Sequence, residues 1–275
     1  MFFDYHTRSK MKKHPRVTIV TVCYNSEKYL EDCIKSIMNQ TYDNVEHIIV
    51  DGESKDNTLD IIKKYDGKYN MRWISEPDNG MYDAIYKGFQ MATGDIYAWL
   101  NSDDMYMPWA CELVAKVMEE TDVEWCTGIP CHYTESGIAY NIPRVTPVFP
   151  RKFILKGYMD GRVATFLEQE SMFWSKKLWD LCGNTILRYK YAGDYHLWRE
   201  FSKYQQLITL DSVVSGFRIH KGQKSEDRNK YYGEIGSLNL INKLLKQTKL
   251  IPLIMLTNAL FTRKSRVRTA MVLKK

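Results

Sequence analysis

Apolar runs and helix-like segments alternate through roughly the first hundred residues of this chain. The runs cover residues 17–22, 45–50, 71–74 and 96–100. The first two are rich in β-branched residues, which is typical of strands buried on both faces. Between the runs, apolar residues such as Leu30, Ile34 and Ile37 recur at the spacing of an amphipathic helix. The alternation predicts an α/β fold with a Rossmann-like, mostly parallel sheet that is flanked by helices.

The pattern becomes less regular and richer in aromatic residues beyond residue 127. Further strands are predicted at 171–174 and 213–219, and further helices near 176–182 and 194–204. Since no linker-like segment separates the two parts, we predict a single domain over residues 1–234. Its first half covers about 16–126 and its second half 127–234, and a tail follows at 235–275.

The tail carries an unusual charge pattern. The whole chain has a net charge of +6, and from Ile235 to its end there are nine Lys and Arg and no Asp or Glu. Apolar and basic residues interleave there at helical spacing: Leu238, Ile241, Lys243, Leu244, Leu245, Lys246 and Lys249. The apolar stretch 250–261 is shorter than the roughly 20 residues that span a bilayer. We interpret the tail as a basic amphipathic helix that binds a membrane surface, the alternative being a helix packed on the domain or on a second subunit.

Composition excludes several other classes. The six cysteines form no C-x-x-C pair, and the N-terminus lacks the apolar core of a signal peptide, so we expect a cytoplasmic protein with reduced thiols. Cys126, Cys131 and His132 lack a fourth ligand at zinc-site spacing. The first 234 residues are mildly acidic and contain no nucleic-acid motif, so no nucleic-acid partner is expected. The oligomeric state is not predicted.

Two adjacent carboxylates, Asp103 and Asp104, follow the apolar run 96–100. Ligands bind at strand ends in open α/β sheets, and a divalent cation such as Mg²⁺ would offset the paired charge while sharing its ligands with substrate phosphates. The alternative is a solvated loop in which Asp caps the next helix. The chain has neither a G-x-x-x-x-G-K-[ST] loop nor a G-x-G-x-x-G turn. The diphosphate of a bound nucleotide would therefore be held by a metal and side chains.

A family resemblance rests on several motifs taken in order. They are VTIVTVCYN (17–25), SIMNQTY (36–42), IIVDGESKDNT (48–58), EPDNGMYDA (76–84), GD (94–95) and NSDD (101–104). Together they resemble the family 2 inverting glycosyltransferases, which have the GT-A fold. Later segments resemble a subgroup that builds bacterial surface polysaccharides: QESMFW (169–174), GDYHLW (193–198) and RIH (218–220). Many relatives carry Glu-Asp where this chain has Gly193-Asp194.

The resemblance implies roles in donor binding. Asp51 would contact the nucleotide base with Tyr24 beside it, although Asp51 could be a turn residue and Tyr24 a core residue. Asp104 would bind a divalent cation, Mn²⁺ or Mg²⁺, and Asp103 would lie nearer the ribose or the water shell of the metal.

Further residues receive roles by the same resemblance. Asp83 would lie near the donor, although a carboxylate in the first turn of a helix is also stabilised by the helix dipole. His220 would bind the metal or phosphate, or be structural. Gln169 and Glu170 would contact the acceptor sugar, the alternative being a polar start to the following strand. Trp198 is better explained by packing than as a sugar platform.

The implied function is that of an inverting glycosyltransferase. It would move a sugar from a nucleotide-diphosphate donor to a hydroxyl of a glycan or lipid-linked acceptor, in cell-surface polysaccharide synthesis at the inner face of the membrane. Asp194 would be the general base, the alternative being a helix N-cap. Two other functions remain open: a nucleotidyltransferase that makes the sugar nucleotide, and a non-catalytic subunit that binds glycan or nucleotide.

Overall fold

The computed structural model describes residues 13–143, 145–261 and 266–267. The strands are β1 (Val17–Cys23), β2 (Val45–Asp51), β3 (Met71–Ser75), β4 (Ile96–Trp99), β5 (Met105–Tyr106), β6 (Trp125–Thr127), β7 (His132–Tyr133), β8 (Ala139–Tyr140), β9 (Met172–Ser175), β10 (Ile208–Leu210), β11 (Ser215–Arg218) and β12 (Arg266–Val267). The helices are α1 (Leu30–Met38), α2 (Thr58–Tyr65), α3 (Met81–Met91), α4 (Ala110–Glu120), α5 (Arg151–Leu155), α6 (Lys176–Cys182), α7 (Gly193–Tyr204), α8 (Arg228–Ile235), α9 (Leu240–Thr248) and α10 (Leu250–Phe261). The predicted α/β class is confirmed.

The central sheet runs through both halves of the chain. Within the described residues it contains eight strands in the order β12-β10-β6-β9-β4-β1-β2-β3. β1 pairs in parallel with both β2 and β4, whereas β9 is antiparallel to β4 and β6. Alternate residues of β1 enter different apolar clusters, Val20 and Val22 on one face and Val17 and Ile19 on the other. Both faces are therefore covered, which explains the unbroken apolar runs of the sequence.

A smaller sheet brings the C-terminal part of the domain to the end of β4. Within the described residues it has the order β5-β11-β7-β8, and β11 is antiparallel to β5. β5 begins directly after Asp104, so its pairing with β11 carries residues 218–220 to the two adjacent carboxylates. Loop residues that lie far apart in the sequence thereby meet at one edge of the molecule.

Stacked tryptophans join the central sheet to α7. Trp99 of β4 lies parallel to Trp198 of α7 with 5.5 Å between ring centroids, and Trp125 of β6 stacks on Trp198 at 5.9 Å. Trp174 of β9 meets Trp99 edge-on. Aromatic pairs at such distances each contribute about 0.5–1.5 kcal/mol beyond their buried area. This packing sets the position of the N-terminus of α7 relative to the end of β4.

The described part of the tail contains two helices, α9 and α10, where the sequence predicted a basic amphipathic helix. Ile251 and Met255 of α10 are buried in the main core, so this part of the tail packs on the domain. Other apolar residues of the two helices are exposed: Leu240, Ile241, Leu244, Leu253 and Leu256. None of the helices in the described ranges has the length and hydropathy that a bilayer span requires. The predictions made for residues 1–12, 262–265 and 268–275 lie outside the described residues.

Candidate functional site

A cavity of about 500 Å³ opens beyond the C-terminal end of β4. Carboxylate residues from separate parts of the chain line it: Asp103, Glu168, Glu170, Asp194, Glu226 and Asp227. Aromatic rings and two cationic residues complete its wall, among them Tyr82, Trp99, Tyr191, Lys224, Arg228 and Tyr231. A concave, partly apolar cavity with convergent polar groups is the usual form of a small-molecule site.

Asp103 faces this cavity and is paired with His220. Its Oδ2 lies 3.0 Å from His220 Nε2, and the side chain of Asp103 is 28% exposed. The imidazole also packs against the ring of Tyr29 at 4.6 Å. In the part of the chain that the structure describes, no group of three or more His, Cys, Asp or Glu residues gathers in the form of a metal site.

Asp104 is placed differently from its neighbour. It is fully buried, and its Oδ1 accepts a hydrogen bond of 2.9 Å from the backbone N–H of Arg218. Burial, together with the charge of Asp103, raises the pKa of Asp104 well above its ordinary value. Asp104 is absent from the described lining of the cavity. Asp103 thus faces the cavity, whereas Asp104 is buried behind it; which of the two binds a cation remains a prediction.

Asp51 also lies inside the protein, where its carboxylate is bonded to neighbouring groups. Its Oδ2 accepts from the backbone N–H of Ser54 at 3.0 Å and from Ser75 Oγ at 2.7 Å, and the Ser54 hydroxyl donates to Oδ1. The surface beside it is formed by the exposed ring of Tyr24 and by Gly52. A Cβ at Gly52 would meet Asp78 Oδ2 at 2.6 Å. Asp78, inside the 76–84 motif, is a residue that sequence reasoning missed.

Asp83 closes the turn that begins α3. Its Oδ2 accepts from the backbone N–H of Asn79 at 2.9 Å and lies 3.6 Å from Lys87 Nζ. Both contacts are typical of an acidic residue in the first turn of a helix. Asp83 is absent from the described cavity lining. A donor contact by Asp83 remains a prediction.

Asp194 lies in the first turn of α7 and faces the cavity. Tyr82 donates its hydroxyl proton to Asp194 Oδ1 at 3.1 Å, and the Asp194 N–H donates to the same hydroxyl at 3.2 Å. A Cβ at Gly193 would lie 2.8 Å from the Tyr82 ring, so glycine allows this close approach. Burial raises the pKa of Asp194 to about 6, although the hydrogen bonds and Lys224 oppose the shift. A carboxylate with this pKa is suited to accept a proton near neutral pH.

The segment 168–170 forms the wall beside Asp194. Two hydrogen bonds fix the side chain of Gln169: its Nε2 donates to the Trp99 carbonyl at 2.6 Å, and its Oε1 accepts from Asn101 Nδ2 at 3.0 Å. Glu170 is 2% exposed. Burial and the charge of Asp194 raise the pKa of Glu168 to about 7. Sequence reasoning missed Glu168, although it directly precedes the QESMFW motif.

Trp198, predicted as a weak candidate for acceptor contact, belongs to the core. It is 2% exposed and stacks between Trp99 and Trp125. Its indole is thus used in packing, which corrects the acceptor prediction in favour of the structural alternative.

A protein-family model matches a large part of this chain. The model of the family "Glycosyl transferase family 2" matches residues 18–181, more than half of the chain. The chain belongs to glycosyltransferase family 2. Membership in this family favours a glycosyltransferase over the nucleotidyltransferase that the sequence analysis left open.

Several curated proteins are similar to this chain. EpsH of Bacillus subtilis is 30% identical over 158 residues, which cover 55% of this chain and 45% of EpsH. RT0329 of Rickettsia typhi, an uncharacterized glycosyltransferase, is 25% identical over 247 residues, which cover 85% of this chain and 74% of RT0329. The chain thus spans less than half of EpsH and about three quarters of RT0329.

Solved structures share the GT-A fold of the domain. Residues 1–349 of S. aureus TarS in complex with UDP-GlcNAc give a TM-score of 0.61 at 18% identity, over 77% of this chain and 61% of that one. The mannosyltransferase PcManGT of Pyrobaculum calidifontis, in complex with GDP-Man and Mn²⁺, gives a TM-score of 0.56 at 17% identity, over 94% and 79%. At these identities the similarity establishes the fold.

The raised pKa of Asp194 predicts a pH-dependent stability. The folded state favours the neutral carboxyl of Asp194. The stabilising contribution of this carboxyl to the free energy of unfolding is therefore fully present below pH 4 and is lost as pH rises through about 6. Asp194→Asn should therefore increase the free energy of unfolding relative to the wild type at pH 8, by on the order of 2 kcal/mol, and much less at pH 4. Urea unfolding at both pH values measures this. Asp60→Asn, on the exposed start of α2, is the matched control; an equal gain at both pH values would contradict the assignment.

Proposed function

We propose that this glycosyltransferase moves a sugar from a nucleotide-diphosphate donor to a hydroxyl of a glycan or lipid-linked acceptor, with inversion, in cell-surface polysaccharide synthesis. The supporting observation is that Asp103, paired with His220, and Asp194 face one cavity from different sides of the fold. A leaving diphosphate and an attacking hydroxyl need such separate positions.

Asp103 and His220 would hold the divalent cation. A carboxylate oxygen and an imidazole nitrogen only 3.0 Å apart match the donor set that Mn²⁺ accepts, and diphosphate oxygens and water would complete its coordination. The cation supplies charge neutralisation as the nucleoside diphosphate departs. Asp104 would support this pair indirectly, through its bond to the backbone of Arg218.

The nucleotide base would bind beside Tyr24. The exposed ring of Tyr24 lies next to Gly52, which leaves a flat surface on which a base can stack. Asp51 would shape this surface by holding Ser54 and Ser75. Asp78 would offer a carboxylate oxygen to the edge of the base, since that oxygen already lies over Gly52.

Asp194 would remove the proton from the acceptor hydroxyl as that oxygen attacks the anomeric carbon. The bond to the diphosphate breaks on the opposite face in the same step, so the configuration inverts. Tyr82 keeps the carboxylate oriented and favours its ionised form.

The tail would place the enzyme on the inner face of the membrane. Leu240, Ile241 and Leu244 are 84%, 66% and 59% exposed on α9. Lys243 and Lys246 flank them on the same helix. An exposed apolar stripe with basic residues suits the surface of an anionic bilayer.

The cation proposal predicts opposite outcomes for the two adjacent carboxylates. UDP-, GDP-, dTDP- and CMP-sugars are compared in a thermal-shift panel with Mn²⁺ or Mg²⁺. One nucleotide class should stabilise the folded wild type, by about 2.7 kcal/mol when the ligand concentration is 100 times its Kd. EDTA should abolish the shift. Asp103→Asn should lose the metal-dependent stabilisation, whereas Asp104→Asn should keep it, since an amide oxygen still accepts from Arg218. The reverse result would overturn the assignment.

The base proposal predicts a pH profile. Turnover should rise with pH and level off above an apparent pKa of about 6, because Asp194 must be ionised to accept a proton. Asp194→Asn should lower kcat by about 10²–10⁴-fold while donor binding is retained. Tyr82→Phe should move the rising limb to higher pH, because the lost hydrogen bond favoured the carboxylate. Undiminished turnover in Asp194→Asn would identify another group as the base.

The membrane proposal is tested by sedimentation with vesicles. The full chain should sediment with phosphatidylglycerol vesicles and weakly with phosphatidylcholine vesicles. The combined change Leu240→Ser, Ile241→Ser and Leu244→Ser should weaken binding at least about tenfold, because apolar area no longer enters the bilayer. Ile138→Ser with Ile142→Ser, exposed elsewhere on the domain, is the control. Equal binding of both variants would show that α9 is not the contact.

A further inference from the structure

The backbone of residues 190–192 leads into the first turn of α7, and side chains from a later segment of the chain hold it in place. The carboxylate of Glu234 accepts hydrogen bonds from the N–H groups of residues 190, 191 and 192, at 2.8, 2.9 and 2.8 Å. Lys224 Nζ donates to the carbonyl of Lys190 at 3.0 Å. These bonds fix the backbone that carries Asp194, the proposed base.

The ammonium of Lys224 also lies against two aromatic rings. Its Nζ is 5.6 Å from the centroid of the Tyr82 ring and 5.4 Å from that of Tyr191. A cation at such a distance is attracted by the ring electrons. Tyr82 is the residue whose hydroxyl donates to Asp194 Oδ1, and all four residues line the cavity. Lys224 is therefore held against the ring that orients the proposed base.

Lys224 and Asp194 each favour the charged form of the other. The positive charge of Lys224 opposes the burial that raises the pKa of Asp194 to about 6. Burial lowers the pKa of Lys224, and the negative charges of Asp194 and Glu234 oppose that shift. Without this ammonium, the carboxylate of Asp194 would be harder to ionise.

Other titratable or charged groups surround Asp194, from each element packed against it: Tyr82 of α3, Glu168, Arg228 and Tyr231 of α8, and Glu234. Burial raises the pKa of both tyrosines, so they stay neutral at the pH at which Asp194 ionises. Burial and the charge of Asp194 raise the pKa of Glu168 to about 7, so Glu168 is mostly neutral there too. The charge of Arg228 acts on Glu168, and Glu234 is bonded to the backbone. Within this set, Lys224 is the charged side chain that favours ionised Asp194.

We propose that Lys224 is a positioning residue for glycosyl transfer. Its ammonium, fixed by the Lys190 carbonyl and by the rings of Tyr82 and Tyr191, keeps the carboxylate of Asp194 ionised until the acceptor hydroxyl gives up its proton. Glu234 supports this arrangement by holding the backbone between the two groups. The inference rests on the proposed function, in which Asp194 is the base.

The pH dependence of kcat tests this role, because it reports the pKa of the base in the enzyme–substrate complex. Lys224→Gln should move the rising limb to higher pH by roughly 0.5–1 unit, less than the shift caused by a directly paired charge. On the rising limb kcat should therefore fall about three- to tenfold, and above about pH 8.5 it should change little. Lys224→Arg keeps the positive charge and should restore the wild-type limb.

Lys230→Gln is the matched control. Lys230 Nζ also lies 5.6 Å from the centroid of the Tyr191 ring, and it is 4.0 Å from Asp227 Oδ2. Lys230 is absent from the described lining of the cavity. This variant removes an equal charge from the same segment and should leave the rising limb where it is.

The outcomes distinguish the two proposals. Undiminished turnover in Asp194→Asn overturns the base proposal, and this inference with it. If Asp194 is required, an unmoved limb in Lys224→Gln overturns this inference alone. Calorimetric titration with UDP or GDP and Mn²⁺ adds a second readout: a raised Kd with an unmoved limb would show that Lys224 binds phosphate instead. An equal fall in kcat at every pH would also overturn the inference, because a purely structural role has that effect.

Discussion

The buried guanidinium of Arg218 holds the site together. Its Nε donates to the Asp103 carbonyl at 2.8 Å, its other nitrogens reach Glu135 and Asp32, and its backbone N–H binds the carboxylate of Asp104. Burying a charge is costly unless it is paired and hydrogen-bonded. Arg218 meets that condition only when β11 lies against the loop after β4. The same contacts thereby place His220 beside Asp103.

A second constraint fixes the opposite wall of the cavity. The tryptophans of β4, β6 and β9 pack against Trp198, so α7 cannot shift along the sheet without breaking the most aromatic part of the core. Asp194 therefore keeps its position relative to the end of β4. The absence of a side chain at Gly193 then lets Tyr82 approach and orient the carboxylate. Asp103 and Asp194 are thus held by separate parts of the core that meet at Trp99.

Much of the fold could be predicted because its signals are local. The strands at 17–23, 45–51, 71–75 and 96–99 follow the predicted runs to within a residue, since β-branched runs and helical spacing act over a few residues. The second half was harder, because β7 and β8 are short and depend on their partners. Its small sheet contains both parallel and antiparallel pairs that no local periodicity encodes.

The sequence by itself determined the α/β alternation, the family and the carboxylates from which a site could be built. Only the tertiary structure decided which of two adjacent carboxylates faces the cavity. Asp103 and Asp104 have the same side chain, and the bond from Arg218, 114 residues away, assigns Asp104 to the interior. The positions of Glu168 and Asp78 likewise emerge only from the packed chain. Burial and pairing are set by contacts between distant segments, and a local pattern does not contain them.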